Sequence, residues 1–327
     1  MSEVGSRRDE GNGFVSSFIH HSSTLSSWPH RLAVLLACAT FSLLFIGGLV
    51  TSLGAGLAVP DWPTTFGYNM FLYPWAKMVG GIFYEHSHRL VASSVGLLTI
   101  ALALTFWFHE QRQWLRWLGL AALFLVIVQG VLGGLRVVLL QHTLAIIHAC
   151  FAQAFFALTV SLTLFTSAEW RCSANGAIAD RGRLRRLATI TTALIYLQIV
   201  VGALLRHTGE RLDAHLLIAV LVAIHIVLLT LRIARAHGKC AELLRPAYSL
   251  GAFLLLQVAL GALSYFGKFT ALLRWPMEAI VLLTTTHLMV GALMLAASVI
   301  IALRAHRLSV GTRSEAPAKV LTEQYSV

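Results

Sequence analysis

Eight long apolar runs along the chain limit what it can fold into. A helix needs about 20 mostly apolar residues to cross a bilayer, and no run shows the period-two alternation of a membrane β-barrel. The sequence therefore predicts an all-α integral membrane protein with eight transmembrane helices. The runs are Leu32–Leu53, Gly80–Phe108, Trp117–Leu135, His142–Thr166, Leu187–Leu205, Ala214–Leu231, Ala247–Phe266 and Met277–Leu303.

The charges agree with this class and predict an orientation. Only 12% of the 327 residues are charged, whereas a soluble domain carries about 25%. With eight spans, 18 of the Lys and Arg residues fall on the side of both termini and 7 on the other side. Because basic residues are enriched in cytoplasmic segments, we expect both termini in the cytoplasm. This distribution explains the net charge of +11, so we expect no nucleic-acid partner.

The two halves of the chain resemble each other, which predicts two repeated four-helix bundles. Gln129–Gly134 matches Gln257–Ala262, and histidines of spans 2 and 4 recur in spans 6 and 8. Because each unit has an even number of spans, both units enter the membrane in the same direction, as in parallel repeats. The predicted organisation is a cytoplasmic tail (1–31), an N-terminal half (32–166), a cytoplasmic linker (167–186), a C-terminal half (187–304) and a second cytoplasmic tail (305–327).

Four histidines are the main candidates for a functional site. Ionisable groups inside a membrane are costly and usually functional, and each pair lies on spans that run in the same direction. Two facing neutral imidazoles suit a six-coordinate haem iron, whereas zinc normally takes four ligands. A structural role for a single span histidine stays open. The candidates are His88 with His148 and His225 with His287, whereas His215 and others fall at span ends, where solvation explains them.

Glu85 is the candidate acid or base. It precedes His88 by three residues, so both lie on the same helix face. Arg89 follows Glu85 by four residues, and an interfacial ion pair between them is the plain structural interpretation. The functional interpretation is a carboxylate held beside a haem edge, and the residues alone leave both open.

Three segments carry a resemblance to a known family. They are Gly48–Pro63, which ends in Pro60-Asp61-Trp62-Pro63, then Tyr84–Leu90 with its Glu-His-Ser-His-Arg core, and Arg206–Gly209. Over about residues 31–307 the chain resembles haem A synthase, a membrane enzyme that converts haem O to haem A for cytochrome oxidase. The resemblance implies oxidation of a ring methyl of haem O to a formyl group.

The resemblance also implies a division of labour between the halves. The substrate haem O would bind in the N-terminal half, with His88 and His148 as iron ligands. A low-spin haem b in the C-terminal half, held by His225 and His287, would act as an electron relay. The catalytic carboxylate of the family falls on Glu85.

The outer loops supply further candidates. We expect the haem edges near the outer face, where arginines can pair with propionates or, as the alternative, contact lipid headgroups. The loop at Pro60–Pro63 would shape a lid or entry, or be a rigid interfacial loop with an aromatic anchor. No cysteine falls in the predicted outer loops, so an outer disulfide step is not expected. The candidate propionate partners are Arg89, Arg136, Arg206 and Arg211.

The resemblance implies a bacterial cytoplasmic membrane, an unidentified electron donor and, on pathway logic, contact with haem O synthase, the farnesyltransferase. The sequence leaves a homo-oligomer open. One alternative function is a dihaem b-type cytochrome that takes electrons from quinol without oxidising a substrate. It has no need for Glu85 beside one haem only, since Val222 stands three residues before His225. A transporter is the other alternative function. Transporter helices are often broken near the midplane of the membrane, whereas we expect the prolines of this chain outside the span interiors, which disfavours a transporter.

Overall fold

The computed structural model describes residues 28–172, 181–238, 240–270 and 275–310. In these ranges eight helices are long and apolar enough to cross a membrane, which confirms the predicted all-α membrane fold. Two short 3-10 turns, Met70–Leu72 and Trp75–Lys77, lie in the loop before the second helix. The helices are α1 (Trp28–Ser52), α2 (Gly81–His109), α3 (Gln113–Val138), α4 (His142–Thr166), the short α5 (Ala168–Cys172), α6 (Arg181–Thr208), α7 (Leu212–Ala236), α8 (Ala241–Phe269) and α9 (Met277–Val310).

Several helices extend past the apolar runs that predict them, and α8 includes a proline. Pro246 lies in the second turn of α8, so the expectation that prolines stay outside the spans is wrong there. Proline has no N–H to donate to the carbonyl four residues earlier. That carbonyl, on Glu242, instead accepts a hydrogen bond from Arg304 of α9. A neighbouring helix therefore compensates for the break, as membrane helices require.

Each half closes into a ring of four helices. In the N-terminal half α2 packs between α1 and α3, and α4 closes the ring by contacting α3 and α1. In the C-terminal half α7 packs between α6 and α8, and α9 contacts α8 and α6. The halves meet through α1 with α9, α4 with α6, and α4 with α9. These contacts are consistent with two parallel repeats in which α1 corresponds to α6 and α4 to α9.

Apolar side chains fill the end of each bundle that lies away from the α1–α2 loop. Phe106, Leu115 and Leu162 are fully buried there in the N-terminal half, and Ile233 and Leu243 in the C-terminal half. Lipid is as apolar as these side chains, so close packing rather than removal from water stabilises the contact. The opposite ends of the bundles carry the span histidines.

Arg206 of α6 connects the two halves. Its Nη2 donates to the Gly48 carbonyl of α1 at 2.7 Å and to Ser52 Oγ at 2.6 Å, and its Nη1 donates to the Thr284 carbonyl of α9 at 3.2 Å. Ser52 Oγ also lies 3.1 Å from Thr285 Oγ1. A guanidinium inside a membrane protein needs such partners because lipid supplies none. This network holds α6 against α1 and α9.

We expect Arg206→Met to lower the free energy of unfolding by about 2 kcal/mol, because hydrogen bonds to a charged group are lost while the side-chain length is kept. Thermal unfolding of the purified protein in detergent measures the change. Arg235→Met, at an exposed arginine of α7, is the matched control and should leave the midpoint unchanged. Equal midpoints for the two variants would contradict a stabilising role for this network.

Candidate functional site

Four histidine rings rest on glycines of a neighbouring helix, in the same manner in both bundles. A Cβ added to any of these glycines would lie 3.1 to 3.2 Å from Cε1 of the ring. Glycine permits this close approach, and a larger residue would push the ring away. The pairs are His88 on Gly47, His148 on Gly133, His215 on Gly202 and His287 on Gly261.

The partner of His287 is His215, and the predicted pairing with His225 is wrong. The ring centroids of His215 and His287 are 6.4 Å apart. His225 instead donates from Nδ1 to the Leu221 carbonyl of its own helix at 2.9 Å. Ten residues of α-helix rise about 15 Å, so His215 and His225 cannot both lie at the depth of His287.

A glutamine that recurs four residues before a glycine is the sequence signal that could have identified His215. Gln198 stands four residues before Gly202 in α6, and its Nε2 lies 3.2 Å from His215 Nδ1 and donates to the His215 carbonyl at 3.0 Å. The same Gln-x-x-x-Gly spacing occurs at Gln129 in α3 and Gln257 in α8. Histidine spacing along the chain was misleading because the connecting loops differ in length between the halves.

The donor set fits a haem and does not fit a structural zinc site. His88 and His148 pack on glycines in the same way, and Nδ1 of both is buried without a hydrogen-bond partner. Among the described residues, no group of three or more His, Cys, Asp or Glu side chains could hold a metal ion. Two imidazoles without a third protein ligand suit the two axial positions of a haem iron, whereas zinc takes three or four protein ligands.

Glu85 is buried near the N-terminal end of α2, with 4% of its surface exposed. Its Oε1 lies 2.9 Å from Nη2 of Arg89, and its Oε2 accepts a hydrogen bond from the Val59 N–H at 2.9 Å. The ion pair expected on the structural interpretation is therefore present. Glu85 also lies one turn before His88, so this contact leaves the functional interpretation open.

Arg89 fastens the α1–α2 loop to α2. Its Nη1 donates to the Asp61 carbonyl at 2.7 Å and to the Thr64 carbonyl at 3.0 Å, and its Nη2 donates to the Val59 carbonyl at 3.0 Å. His86 adds a contact from Nδ1 to Thr65 Oγ1 at 3.1 Å. The loop is thus attached through its backbone to the helix that carries His88.

The loop also reaches α3. Arg136 Nη2 donates to the Gly56 carbonyl at 2.6 Å, and the Trp62 indole packs so tightly on Gly134 that a Cβ would not fit there. The Pro60–Pro63 segment therefore lies over the N-terminal bundle.

The four arginines predicted as propionate partners occupy different surroundings. Arg89 and Arg136 bind loop carbonyls, as described above, and Arg206 bridges the halves. Arg211 is exposed at the start of α7 with a left-handed φ of 67°. Pairing of any of them with a propionate stays a prediction.

Asp61 shapes the turn of this loop. Its carboxylate accepts hydrogen bonds from the Phe66 N–H at 2.7 Å, from the Gly67 N–H at 2.9 Å and from the Thr64 hydroxyl. Partial burial raises the pKa of Asp61, but these hydrogen bonds outweigh burial and hold the pKa below its usual value. Phe66 has a φ of 50°, which costs a non-glycine residue about 1 kcal/mol, and the ionised carboxylate stabilises that conformation.

Residues 30–214 match the family described as cytochrome oxidase assembly protein. The chain belongs to this family. Proteins named heme A synthase from Shouchella clausii, Exiguobacterium sibiricum and Geobacillus kaustophilus are 31%, 30% and 26% identical to it over 185, 191 and 186 residues. The matches cover 56%, 55% and 54% of this chain, and 60%, 60% and 56% of the relatives. The chain thus matches about three fifths of each relative or slightly less.

The family match ends just before the C-terminal pair. Glu85, His88 and His148 lie inside the matched range, whereas His215 and His287 lie beyond its last residue, Ala214. The geometry of the C-terminal pair therefore rests on the structure of this chain alone.

The lowered pKa of Asp61 predicts a pH-dependent loop in this family member. A carboxylate with a lowered pKa stabilises the folded loop above its unfolded pKa, near 3.8, and this contribution is lost as the pH falls through the folded value. We expect Asp61→Asn to reduce hydrogen-exchange protection of the Phe66 and Gly67 amides by about fivefold at pH 7.

At a pH below the lowered pKa of Asp61, the Asp61→Asn variant and the wild-type chain should show the same protection, because the wild-type carboxylate is then protonated too. Amides of the α4 core serve as the internal reference. Equal protection of the loop amides in both proteins at pH 7 would contradict the prediction.

Proposed function

We propose that the chain is a haem A synthase, which oxidises a ring methyl of haem O to a formyl group and so supplies haem A for cytochrome oxidase. The observation that carries the proposal is the buried Glu85–Arg89 pair one turn from His88, in a bundle that also holds His148 on Gly133. The relatives that share this part of the sequence are named heme A synthase, which supports the same activity here.

In the N-terminal half, His88 and His148 would hold the iron of the substrate haem O. Their rings are half-buried, and each is packed on a glycine that lets it approach the neighbouring helix. Glu85 is on the same face of α2, about 4.5 Å along the helix axis from His88. The carboxylate is therefore within one helical turn of a substrate ligand.

Glu85 would act on the methyl carbon. Converting a methyl to a formyl group removes protons and electrons from that carbon and adds oxygen. A carboxylate can accept such a proton or stabilise positive charge that develops on the carbon. The Val59 N–H and the Arg89 guanidinium hold its two oxygens, so its orientation is set before substrate binds.

The loop that contains Trp62 would cover the reacting end of the substrate. Arg89 and Arg136 tie it down through backbone carbonyls, which limits the access of water from the outer face. Arg89, Arg136, Arg206 and Arg211 remain candidate partners for haem propionates in this proposal.

In the C-terminal half, His215 and His287 would hold haem b, and His225 takes no part. Bound there, haem b would supply an electron relay between the substrate half and an external electron carrier. The residue three before His215 is Leu212, so the C-terminal half has no counterpart to Glu85. This asymmetry favours one catalytic half and one relay half.

A dihaem cytochrome that only transfers electrons, for example from quinol, is the second candidate. All four histidine rings pack on glycines in the same way, which favours two equivalent haem sites and therefore the cytochrome. The buried carboxylate of Glu85, present in one half only, disfavours it. Haem extraction from the purified protein distinguishes the two, since only the synthase should carry haem O or haem A beside haem b.

The proposal includes a cellular setting. We place the chain as a multi-pass protein of the bacterial cytoplasmic membrane with both termini in the cytoplasm, supported by the eight apolar helices and the distribution of basic residues. An electron carrier, haem O synthase and a second copy of the chain are its proposed partners.

His215→Ala and His287→Ala should each remove the stable low-spin haem b, because loss of one axial ligand leaves the iron five-coordinate. The matched control is His225→Ala, on the same helix as His215, which should keep full haem b. Haem content and the reduced visible spectrum of the purified variants measure this. Retention of haem b in His215→Ala together with its loss in His225→Ala would restore the pairing predicted from the sequence.

Glu85→Gln should keep both haems but slow haem A formation by about 10²–10⁴-fold, the contribution typical of a general base. Haem extraction and chromatography from cells that express the variant should show haem O accumulating.

Hydrogen exchange of the Val59 amide separates chemistry from loop anchoring in this variant. A catalytic role predicts slow turnover with a protected loop, whereas anchoring alone predicts a parallel loss of both. A normal yield of haem A from Glu85→Gln would exclude the catalytic role.

A further inference from the structure

We infer that three glutamines position three of the four histidine ligands, and that His88, which has none, is the ligand that releases haem from the N-terminal half. The inference rests on the proposed function and adds which iron ligand allows haem O to enter and haem A to leave.

Each glutamine lies one turn before the glycine that supports a histidine ring, and each contacts that histidine. Gln198 contacts both the ring and the carbonyl of His215, as described above. Gln129 Nε2 donates to the His148 carbonyl at 3.2 Å. Gln257 Nε2 lies 3.4 Å from His287 Nε2, and Gln198 Nε2 also lies 3.3 Å from His215 Nε2. Iron at Nε2 would displace both amide groups from that nitrogen.

The same three amides each have an oxygen with nothing to accept. Oε1 of all three is buried without a hydrogen-bond partner, and so is Nδ1 of His148 and His287. When iron occupies Nε2 of an imidazole, the proton must be on Nδ1, which then needs an acceptor. In the pairs Gln129–His148 and Gln257–His287, an acceptor and a ring nitrogen that both lack a partner thus lie in the same pair, whereas Nδ1 of His215 already lies 3.2 Å from Gln198 Nε2. The glutamines are Gln129, Gln198 and Gln257.

His88 lacks this arrangement. Position 43 of α1, one turn before Gly47, is leucine, so the helix that supports the His88 ring offers no glutamine at the equivalent position. His88 Nδ1 is buried without a partner. An iron-bound His88 would therefore lack the amide that contacts each of the other three histidines.

The difference in glutamines between the two halves matches the role proposed for each half. Partners of metal-bound histidines typically change metal affinity by about 10–100-fold. In the C-terminal half both histidines contact a glutamine, which is consistent with a haem that stays bound. In the N-terminal half only His148 contacts one, which is consistent with a haem that enters as substrate and leaves as product.

Haem transfer to excess apomyoglobin tests the inference on the full chain, loaded with haem b as the probe for both halves. The wild-type protein should lose haem in a fast and a slow phase. Leu43→Gln supplies the missing amide and should slow the fast phase about tenfold, while the slow phase stays unchanged. Its low-spin electron paramagnetic resonance signal should shift toward that of the C-terminal haem.

Variants of the existing glutamines test the opposite direction. Gln129→Leu should speed the fast phase and Gln198→Leu the slow phase, each about tenfold. Gln153→Leu removes a buried amide of α4 that shows no contact with the four histidines, and it should change neither phase. Gln198→Glu, which keeps an acceptor oxygen at the same side-chain length, should retain the wild-type slow phase, whereas Gln198→Leu should not. This difference marks positioning rather than packing.

Two results would overturn the inference. One is a fast phase that Leu43→Gln leaves unchanged although the variant binds both haems, and the other is an equal effect of Gln153→Leu and Gln198→Leu. A wild-type protein that binds no haem at all would instead contradict the proposed function, so the two failures are distinguishable.

Discussion

A polar side chain inside these spans must find its partner within the protein, because hydrocarbon offers no hydrogen bonds. This constraint explains most of the contacts that hold the structure together. Arg206 bridges the halves through two carbonyls and a hydroxyl, and Glu85 is paired with Arg89. The Glu242 carbonyl released by Pro246 accepts from Arg304. In the described part of the chain, most buried polar side-chain atoms without partners belong to the histidines and their glutamines.

Glycines determine how closely the histidine rings approach the neighbouring helices. Each ring lies against a glycine of the next helix, so the helix pairs approach closely at the depth of the site. At the other end of each bundle, side chains such as Phe106 and Leu243 are fully packed. One end of each bundle is therefore closely packed, and the other carries the histidine rings, in the N-terminal half beneath the α1–α2 loop.

The halves share a scaffold but differ at the positions that decide chemistry. Glu85 in the N-terminal half corresponds to Leu212 in the C-terminal half, and Leu43 of α1 corresponds to Gln198 of α6. The first difference gives one half a carboxylate. The second gives the C-terminal half a glutamine that contacts His215. On the proposed function, a repeated bundle thus supports a reacting site and a permanent one through exchanges at a few positions.

The sequence by itself determined the all-α membrane class, the eight spans and the closeness of Glu85 to His88, because these depend on local composition and on spacing within one helix. The spacing of the histidines along the chain did not identify His215, since pairing across helices depends on depth, and loops of unequal length made the spacing of His225 look right. The bridging role of Arg206 was also decided only by the tertiary structure. Its partners lie on α1 and α9, more than 70 residues away in either direction, and only helix packing brings them together.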